Sequence, residues 1–329
     1  MYIIVSMEIL PVVDFSNPNR QAKAKQLTEA METVGFVYLD KVPGYSVEVE
    51  ESLHKAAVWF FSKTLSEKLT VSSRNWNPKA LGVYRGYVPI NVAEGHLREQ
   101  YEMGEVLPND DPDRNSGNPL YEPTPWPQED SKLPQFCKLM TTYHEVMLKT
   151  GMEFLRLTAI GLSLNEHTFD SRFSPKSVSS LRLMHYPTYK SETNAQLATN
   201  TTDSPLLTCE EHTDTGFVTL LVTFSYPGLE IMGRDGKWTS VTPRPGSLLV
   251  NVGDSLSRLT NGRFKSTYHR VRDTGIERYS VPFFFSPRFD ARFDFPDDSS
   301  TIYYGPWVIQ RMRRHKYQYA HVPDYPLSS

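Results

Sequence analysis

The feature that most constrains the fold is a succession of short β-forming runs between residues 177 and 287, separated by turn signals. Residues 181–187 form one such run, which a proline ends, and residues 216–224 form another. Asp235-Gly236 and Asn261-Gly262 are dipeptides typical of tight turns between strands. Many short strands joined by tight turns favour a jelly roll or a barrel.

Outside this region, apolar periodicity and turn residues predict helices and a few further strands. The strands cover 10–15 and 36–39, and the helices cover about 19–34, 46–63, 133–164 and 306–319. We therefore predict a mainly β fold with flanking helices, in which the jelly-roll core follows a helical N-terminal part. The longest helix is expected to support the sheet.

We expect one compact unit, although its regions differ in character. Residues 108–132 are rich in proline, aspartate, asparagine and glycine, and we interpret them as a surface loop rather than a linker. The predicted regions are an N-terminal region at 8–125, a supporting long helix at 126–175, the jelly-roll core at 176–290, and a C-terminal helix and tail at 291–329.

The candidate metal ligands lie inside the β-rich region. His212 and Asp214 are two residues apart, so on an extended segment their side chains leave the same face. An isolated pair of this kind is more often a hydrogen-bonded pair or a surface loop than a metal site. His269 follows 55 residues after Asp214 and could supply a third ligand. Two imidazoles and one carboxylate with open coordination positions suit non-haem Fe(II).

Arg278 and Ser280 follow on the next predicted strand, and the period of two places both on one face. A guanidinium beside a hydroxyl matches the geometry of a carboxylate. Glu277 is adjacent to Arg278, so it is expected to face the other way and not to pair with it.

The order His-x-Asp, then His, then Arg-x-Ser resembles the iron and 2-oxoglutarate-dependent dioxygenases of the isopenicillin-N-synthase-like family, in its microbial and fungal branch. This resemblance implies a double-stranded β-helix with iron at its open end, held by His212, Asp214 and His269. It implies that 2-oxoglutarate chelates the iron and that Arg278 and Ser280 hold its distal carboxylate, with O2 as the oxidant. Tyr186 lies where relatives place a tyrosine that contacts this cosubstrate.

One position departs from the plant members of that family. They carry an asparagine two residues before the tyrosine, whereas this chain has Met184. One polar contact to the cosubstrate is therefore expected to be missing.

The substrate pocket is predicted from strand parity and from the family's placement of strands. Arg182 shares a strand face with Tyr186, so it is expected to point into the same cavity. Residues 98–104 are predicted to form a strand whose alternation sends Tyr101 and Met103 to one side and Gln100 and Glu102 to the other. Tyr101, Met103 and Phe284 are expected to line that cavity too. Our hypothesis is that Arg182 anchors an acidic or strongly accepting group while Phe284 packs against a ring. The alternative is a salt bridge within the protein, to an acid such as Glu210 or Glu211.

Composition limits the partners and the compartment. The 329 residues carry a net charge of −3 with acidic and basic residues mixed, which gives no electrostatic reason to expect nucleic acid as a partner. The two cysteines exclude a disulfide framework and fit a reducing compartment. No segment is long and apolar enough to predict a signal peptide or a membrane span, so we expect a cytoplasmic protein.

The predicted function is oxidation of a small organic molecule by Fe(II), 2-oxoglutarate and O2, in a tailoring step of secondary metabolism. Hydroxylation is the default outcome, and desaturation, ring closure or ring expansion use the same cofactors. No separate protein acid or base is assigned. The alternatives are an Fe(II) oxidase of the same family that uses no 2-oxoglutarate, a zinc hydrolase, and a non-catalytic jelly-roll binding module. The sequence predicts no oligomeric state.

Overall fold

The computed structural model describes residues 10–188, 206–296, 301–314 and 319–326. Its elements follow one another along the chain in this order: β1 Val12–Asp14, α1 Arg20–Thr33, β2 Phe36–Asp40, α2 Val47–Phe61, α3 Leu65–Leu69, β3 Gly86–Val88, β4 Glu99–Gly104, α4 Phe136–Gly161, α5 Asp170–Phe173, β5 Ser180–Tyr186, β6 Leu207–His212, β7 Val218–Val222, β8 Leu229–Met232, β9 Trp238–Ser240, β10 Leu248–Val252, α6 Asp254–Leu259, β11 His269–Arg272, β12 Arg278–Phe285, β13 Arg292–Phe293, β14 Ile302–Tyr303 and α7 Tyr304–Met312.

Two sheets face each other and enclose an apolar interior. The major sheet has the strand order β1-β2-β10-β7-β12-β5-β4-β3, and the minor sheet has the order β6-β11-β8-β9. Met184 and Tyr186 of the major sheet belong to one buried cluster with Cys209 and Ile231 of the minor sheet. This sandwich, with β5 to β12 as its core, confirms the predicted jelly roll with flanking helices.

Helices cover the other face of the major sheet. The longest, α4, packs across β12 and β7, and α2 packs on β5 and β12. Gly151 in the middle of α4 allows this close approach, because a Cβ atom there would lie 2.6 Å from the ring of Phe285. The glycine that weakens the helical pattern in the sequence is therefore a packing requirement. The two faces of the major sheet thus have different neighbours, helices on one side and the minor sheet on the other.

The register of the central strands fixes which side chains share a face. Arg278 of β12 lies opposite Tyr186 of β5, and Ser280 lies opposite Met184. On the other side of β5, Met184 lies opposite Gln100 of β4. Directly paired residues of neighbouring strands point to the same face of a sheet. These side chains therefore point toward the minor sheet.

The C-terminal helix is shorter than predicted. It spans Tyr304–Met312, whereas the sequence pattern extended it to residue 319. Residues 315–318, which the prediction included, lie outside the described residues. Among the helices that the structure describes, none is long and apolar enough to cross a lipid bilayer.

Candidate metal and cosubstrate site

Strand pairing brings together three residues that are far apart in the sequence. His212 ends β6 and His269 begins β11, and the two are direct partners in the minor sheet. Asp214 follows in the loop after β6, and its Oδ1 atom lies 3.9 Å from Nε2 of each histidine. One potential ligand atom from each residue lies within 4.8 Å of the others. The three predicted metal ligands therefore converge on one point at the end of the sandwich.

Hydrogen bonds orient each of these side chains toward that point. Oδ2 of Asp214 accepts from Thr219 Oγ1 at 2.5 Å and from Asn251 Nδ2 at 2.8 Å, which leaves Oδ1 for a cation. Nδ1 of His212 lies 2.8 Å from the Glu210 carbonyl, and Nδ1 of His269 lies 3.1 Å from the Thr267 carbonyl. A carbonyl fixes the proton on Nδ1, so Nε2 presents its lone pair.

The electrostatics of Asp214 also suit a cation site. Burial alone raises the pKa of this carboxyl, but the positive charge available on His269 and His212 and the two donors hold it below its ordinary value. Burial lowers the pKa of His269, which favours the neutral imidazole that a metal requires. Burial lowers the pKa of His212, but the Cys209 thiol beside it raises that pKa to about 9, so a metal that binds Nε2 of His212 displaces a proton. Two imidazole nitrogens and one carboxylate oxygen form a donor set that fits Fe(II) with open positions.

The second part of the site is a buried guanidinium without a counterion. Arg278 is only 3% exposed. Its Nη1 donates to Ser280 Oγ at 3.3 Å, its Nε has no hydrogen-bond partner, and its Cζ lies 4.7 Å from the ring centre of Tyr186. None of the described carboxylates forms an ion pair with it. A buried charge without a partner is costly, so this arrangement indicates a binding site for an anion.

Glu277, the residue beside Arg278, pairs elsewhere as the parity argument predicted. Its Oε1 lies 2.7 Å from Nε2 of His185 and accepts from the Tyr279 hydroxyl at 3.0 Å. Both partners lie on the helix-facing side of the sheet. Arg278 therefore keeps its charge available on the opposite face.

Comparison with known families decides the identity. Residues 178–287 match the profile of the 2OG-Fe(II) oxygenase superfamily, and residues 10–129 match that of the N-terminal region of non-haem dioxygenases in morphine synthesis. The 2-oxoglutarate-dependent dioxygenase citB of Monascus ruber is 33% identical over 298 residues, which cover 86% of each chain. The chain belongs to the 2-oxoglutarate and Fe(II) oxygenase superfamily.

Other relatives of this oxygenase agree in class. Clavatol oxidase claD of Penicillium crustosum is 30% identical over 310 residues, covering 86% of this chain and 87% of that protein. A Neurospora crassa protein crystallised with α-ketoglutarate and thymine has a TM-score of 0.76 at 26% identity, covering 93% of this chain and 97% of that one. The predicted cofactors, Fe(II) and 2-oxoglutarate, are thereby confirmed, as is oxidation of a small organic molecule.

The predicted absence of nucleic acid as a partner does not gain support from these relatives. The Neurospora crassa protein is bound to thymine, a nucleobase, in one crystal structure and to 5-formyluracil in another. The oxygenase is therefore expected to take a small molecule, and the exclusion of nucleic acid stays a prediction from charge alone.

The substrate-pocket prediction was wrong for Tyr101 and Met103. These residues of β4 lie opposite Leu183 and Leu181, so they share the helix-facing side of the sheet. Tyr101 is fully buried and its ring lies 4.4 Å from that of Phe60 in α2. The cavity-facing residues of β4 are Gln100 and Glu102 instead.

Arg182 does face the cavity, but it is already paired. Its Nε donates to Glu102 Oε2 at 2.6 Å, and its Nη2 donates to the Tyr319 hydroxyl at 2.8 Å. The alternative that we held open, a salt bridge within the protein, is therefore correct in kind, although the acid is Glu102 rather than Glu210 or Glu211. The guanidinium of Arg182 also covers the ring of Phe284 at 4.7 Å.

Tyr186 and Met184 contact each other beside Arg278 and Ser280. The Tyr186 hydroxyl lies 3.6 Å from Met184 Sδ, a distance at which the sulfur acts as a weak acceptor. The Tyr186 hydroxyl thus contacts a thioether at the sequence position where the plant relatives are expected to have an asparagine side chain.

Sequence reasoning missed three polar residues of this site. Asn251 had a signal, because it is the one polar residue in the apolar run Leu248–Val252. Thr219 and Glu102 had none, since a threonine in a strand is ordinary and a glutamate is usually exposed. Their roles depend on strand pairings that the local sequence does not specify.

Proposed function

We propose that this oxygenase hydroxylates a small organic molecule in a tailoring step of secondary metabolism. His212, Asp214 and His269 hold the iron, and Arg278 with Ser280 holds the distal carboxylate of 2-oxoglutarate, while Tyr186 packs against the guanidinium. In the overall reaction, the substrate, O2 and 2-oxoglutarate react to give the hydroxylated product, succinate and CO2. One oxygen atom enters a C–H bond of the substrate and the other enters succinate. Fe(II) activates the O2 when it is bound.

The observation that carries this proposal is the uncompensated guanidinium of Arg278, buried in the same cavity as the three convergent ligands. A carboxylate accepts bonds from a guanidinium and a hydroxyl at once, and such charge-assisted bonds are stronger than neutral ones. Protein side chains do the positioning in this scheme. Thr219 and Asn251 fix the rotamer of Asp214, and the two backbone carbonyls fix the tautomers of the histidines.

The relatives suggest where to begin the search for a substrate. Clavatol oxidase is named for clavatol, and the Neurospora crassa protein holds thymine or 5-formyluracil in its crystal structures. Thymine and 5-formyluracil are flat rings that carry carbonyl groups. We propose a flat ring compound as the substrate and a reducing compartment such as the cytoplasm as the location, because both cysteines are free thiols.

The test measures O2 uptake and succinate release by the iron-loaded protein with thymine, clavatol and a metabolite extract, each with and without 2-oxoglutarate. We expect succinate formation that a true substrate accelerates. Asp214→Ala is expected to lose both succinate formation and iron binding. Asp235→Ala, in the exposed hairpin turn, is the control for a lost carboxylate. O2 uptake with substrate in the absence of 2-oxoglutarate would instead identify the oxidase alternative.

A further inference from the structure

Two side chains mark where the cavity opens in the middle of the major sheet. In β5 and β12, all residues but one in each strand are buried. The exceptions are Arg182 in β5 and Phe284 in β12, and they touch, with the guanidinium 4.7 Å above the ring centre. Both strands lie inside the sheet and both faces of the sheet are covered, so accessible surface at this one place indicates an internal space.

This opening lies on the iron side of the cosubstrate. Phe284 pairs with Thr219 of β7, and Thr219 donates to the iron ligand Asp214. Ser280 lies four residues away along β12, about 13 Å at ~3.3 Å per residue. The proposed carboxylate site at Arg278 and Ser280 is thus at one end of the cavity. Arg182 and Phe284 lie at the other end, where the substrate has to approach the iron.

The charge of Arg182 is compensated within the protein. Glu102, fully buried, accepts from Arg182 at 2.6 Å and from the Tyr84 hydroxyl at 2.7 Å. Burial, reinforced by Glu102, raises the pKa of both Tyr84 and Tyr319 above the ordinary tyrosine value, so both hydroxyls stay neutral. Arg182 and Glu102 together therefore carry no net charge.

One donor of Arg182 stays available. Its Nε and Nη2 are used by Glu102 and Tyr319, whereas none of the described residues binds its Nη1. The guanidinium thus behaves toward a ligand as half of a neutral pair, with the two N–H groups of Nη1 free. Tyr319, which completes the arrangement, lies beyond both segments that match the family profiles.

We propose that the substrate is an uncharged, flat molecule that accepts a hydrogen bond from Arg182 and stacks on Phe284. This inference rests on the proposed function of the same site and replaces the expectation of an anionic anchor group. An anionic substrate would bring a second negative charge beside the buried carboxylate of Glu102, and like charges in a desolvated site repel strongly. A neutral carbonyl accepts the same hydrogen bond without that repulsion.

Two other guanidinium groups offer an anion another anchor. Arg85 lies against Gly104, whose partner Ser180 lies opposite Phe284, and it is buried with Nε and Nη1 unpaired among the described residues. Arg98 donates to the Thr208 carbonyl at 3.0 Å, and Arg85 donates to the Leu120 carbonyl at 2.5 Å. Neither forms an ion pair with a carboxylate among the residues that the structure describes. If they controlled binding, an anionic ligand would be preferred in spite of Glu102.

The test compares matched neutral and anionic probes on protein loaded with 2-oxoglutarate and Mn(II), which replaces iron without consuming the probe. Calorimetry measures the binding of thymine against orotate and of acetophenone against benzoate. We expect each neutral probe to bind wild type at least about tenfold more tightly than its anionic partner, which corresponds to ~1.4 kcal/mol. Glu102→Gln, which keeps the shape but removes the compensating charge, is expected to abolish or reverse that preference.

Glu145→Gln is the control, because Glu145 is an exposed residue of α4 that lines a cleft on the helix side of the sheet. It is expected to keep the wild-type preference. Wild-type preference for the anionic probes, an unchanged ratio in Glu102→Gln, or no binding of any probe overturns the inference. Failure of wild type to bind 2-oxoglutarate in the first step would contradict the proposed function instead.

Discussion

Replacing Arg278 by alanine tests the cosubstrate site most directly. In the protein without ligands the guanidinium is buried, and the only side-chain acceptor that it contacts among the described residues is Ser280 Oγ, at 3.3 Å. Its Nε is unpaired. Removing it therefore breaks little that holds the fold together. What the substitution removes is the positive charge that 2-oxoglutarate would meet.

The expected magnitude follows from the type of contact. A hydrogen bond to a charged group contributes about 1.5–3 kcal/mol, and ~1.4 kcal/mol is a tenfold change in affinity. Arg278→Ala should therefore weaken 2-oxoglutarate binding by roughly 10- to 150-fold. Iron affinity should be unchanged, because Arg278 contacts none of the three ligands. The thermal midpoint of the ligand-free protein should not fall either, because the substitution removes a buried charge that has no counterion and is costly to desolvate.

The assay is an anaerobic titration that follows the visible absorption of the Fe(II) and 2-oxoglutarate complex. Arg272→Ala is the control, because Arg272 is a half-exposed arginine of β11 that contacts Glu230 at 3.5 Å outside the cavity. It should titrate like wild type. Wild-type affinity in Arg278→Ala would refute the assignment of the carboxylate site, and loss of iron in that variant would show that our separation of the two sites is wrong.

Three further predictions concern residues whose contacts only the structure shows. Asn251→Ala should weaken Fe(II) binding about 10- to 100-fold in an anaerobic titration, because it removes a bond that orients Asp214; equal affinity would contradict the orienting role. Gly151→Ala should lower the thermal midpoint, because a Cβ at 2.6 Å from Phe285 costs about 1–3 kcal/mol against a helix-propensity gain of ~1 kcal/mol; a rise would mean that the helix shifts freely. Tyr319→Phe should raise the KM for substrate but leave substrate-free succinate formation unchanged, and a fall in both would make Tyr319 structural.

Local periodicity was sufficient for the strands that carry the proposed cosubstrate site. The period of two correctly placed Arg278 with Ser280 and Arg182 with Tyr186, because strand geometry depends only on neighbours in the sequence. The convergence of His212 with His269 depends on the pairing of β6 with β11, which the family resemblance supplied and the local pattern did not.

The same rule failed for β4 for a physical reason. Alternation correctly separated Tyr101 and Met103 from Gln100 and Glu102, but it could not say which pair faces the cavity. Burial did not help, since every residue of β4 is buried. Hydrophobic patterning chooses a face only when one face meets water. Here the aromatic face meets the helices, and the polar face meets Arg182.

Along the central strands, residues that contact each other on the helix side alternate with residues that point into the cavity. On the helix side, Nδ1 and Nε2 of His185 each lie 2.7 Å from a carboxylate oxygen, of Glu99 in β4 and of Glu277 beside β12. The imidazole of β5 therefore lies between a carboxylate of β4 and one beside β12, and it links the three strands. Tyr186 follows His185 in β5, and Arg278 follows Glu277 at the start of β12. Both of these next residues point to the cavity side. These contacts behind the sheet therefore tie together the strands whose opposite face carries Arg278 and Tyr186, and this gives the polar cluster a structural role within an otherwise aromatic core.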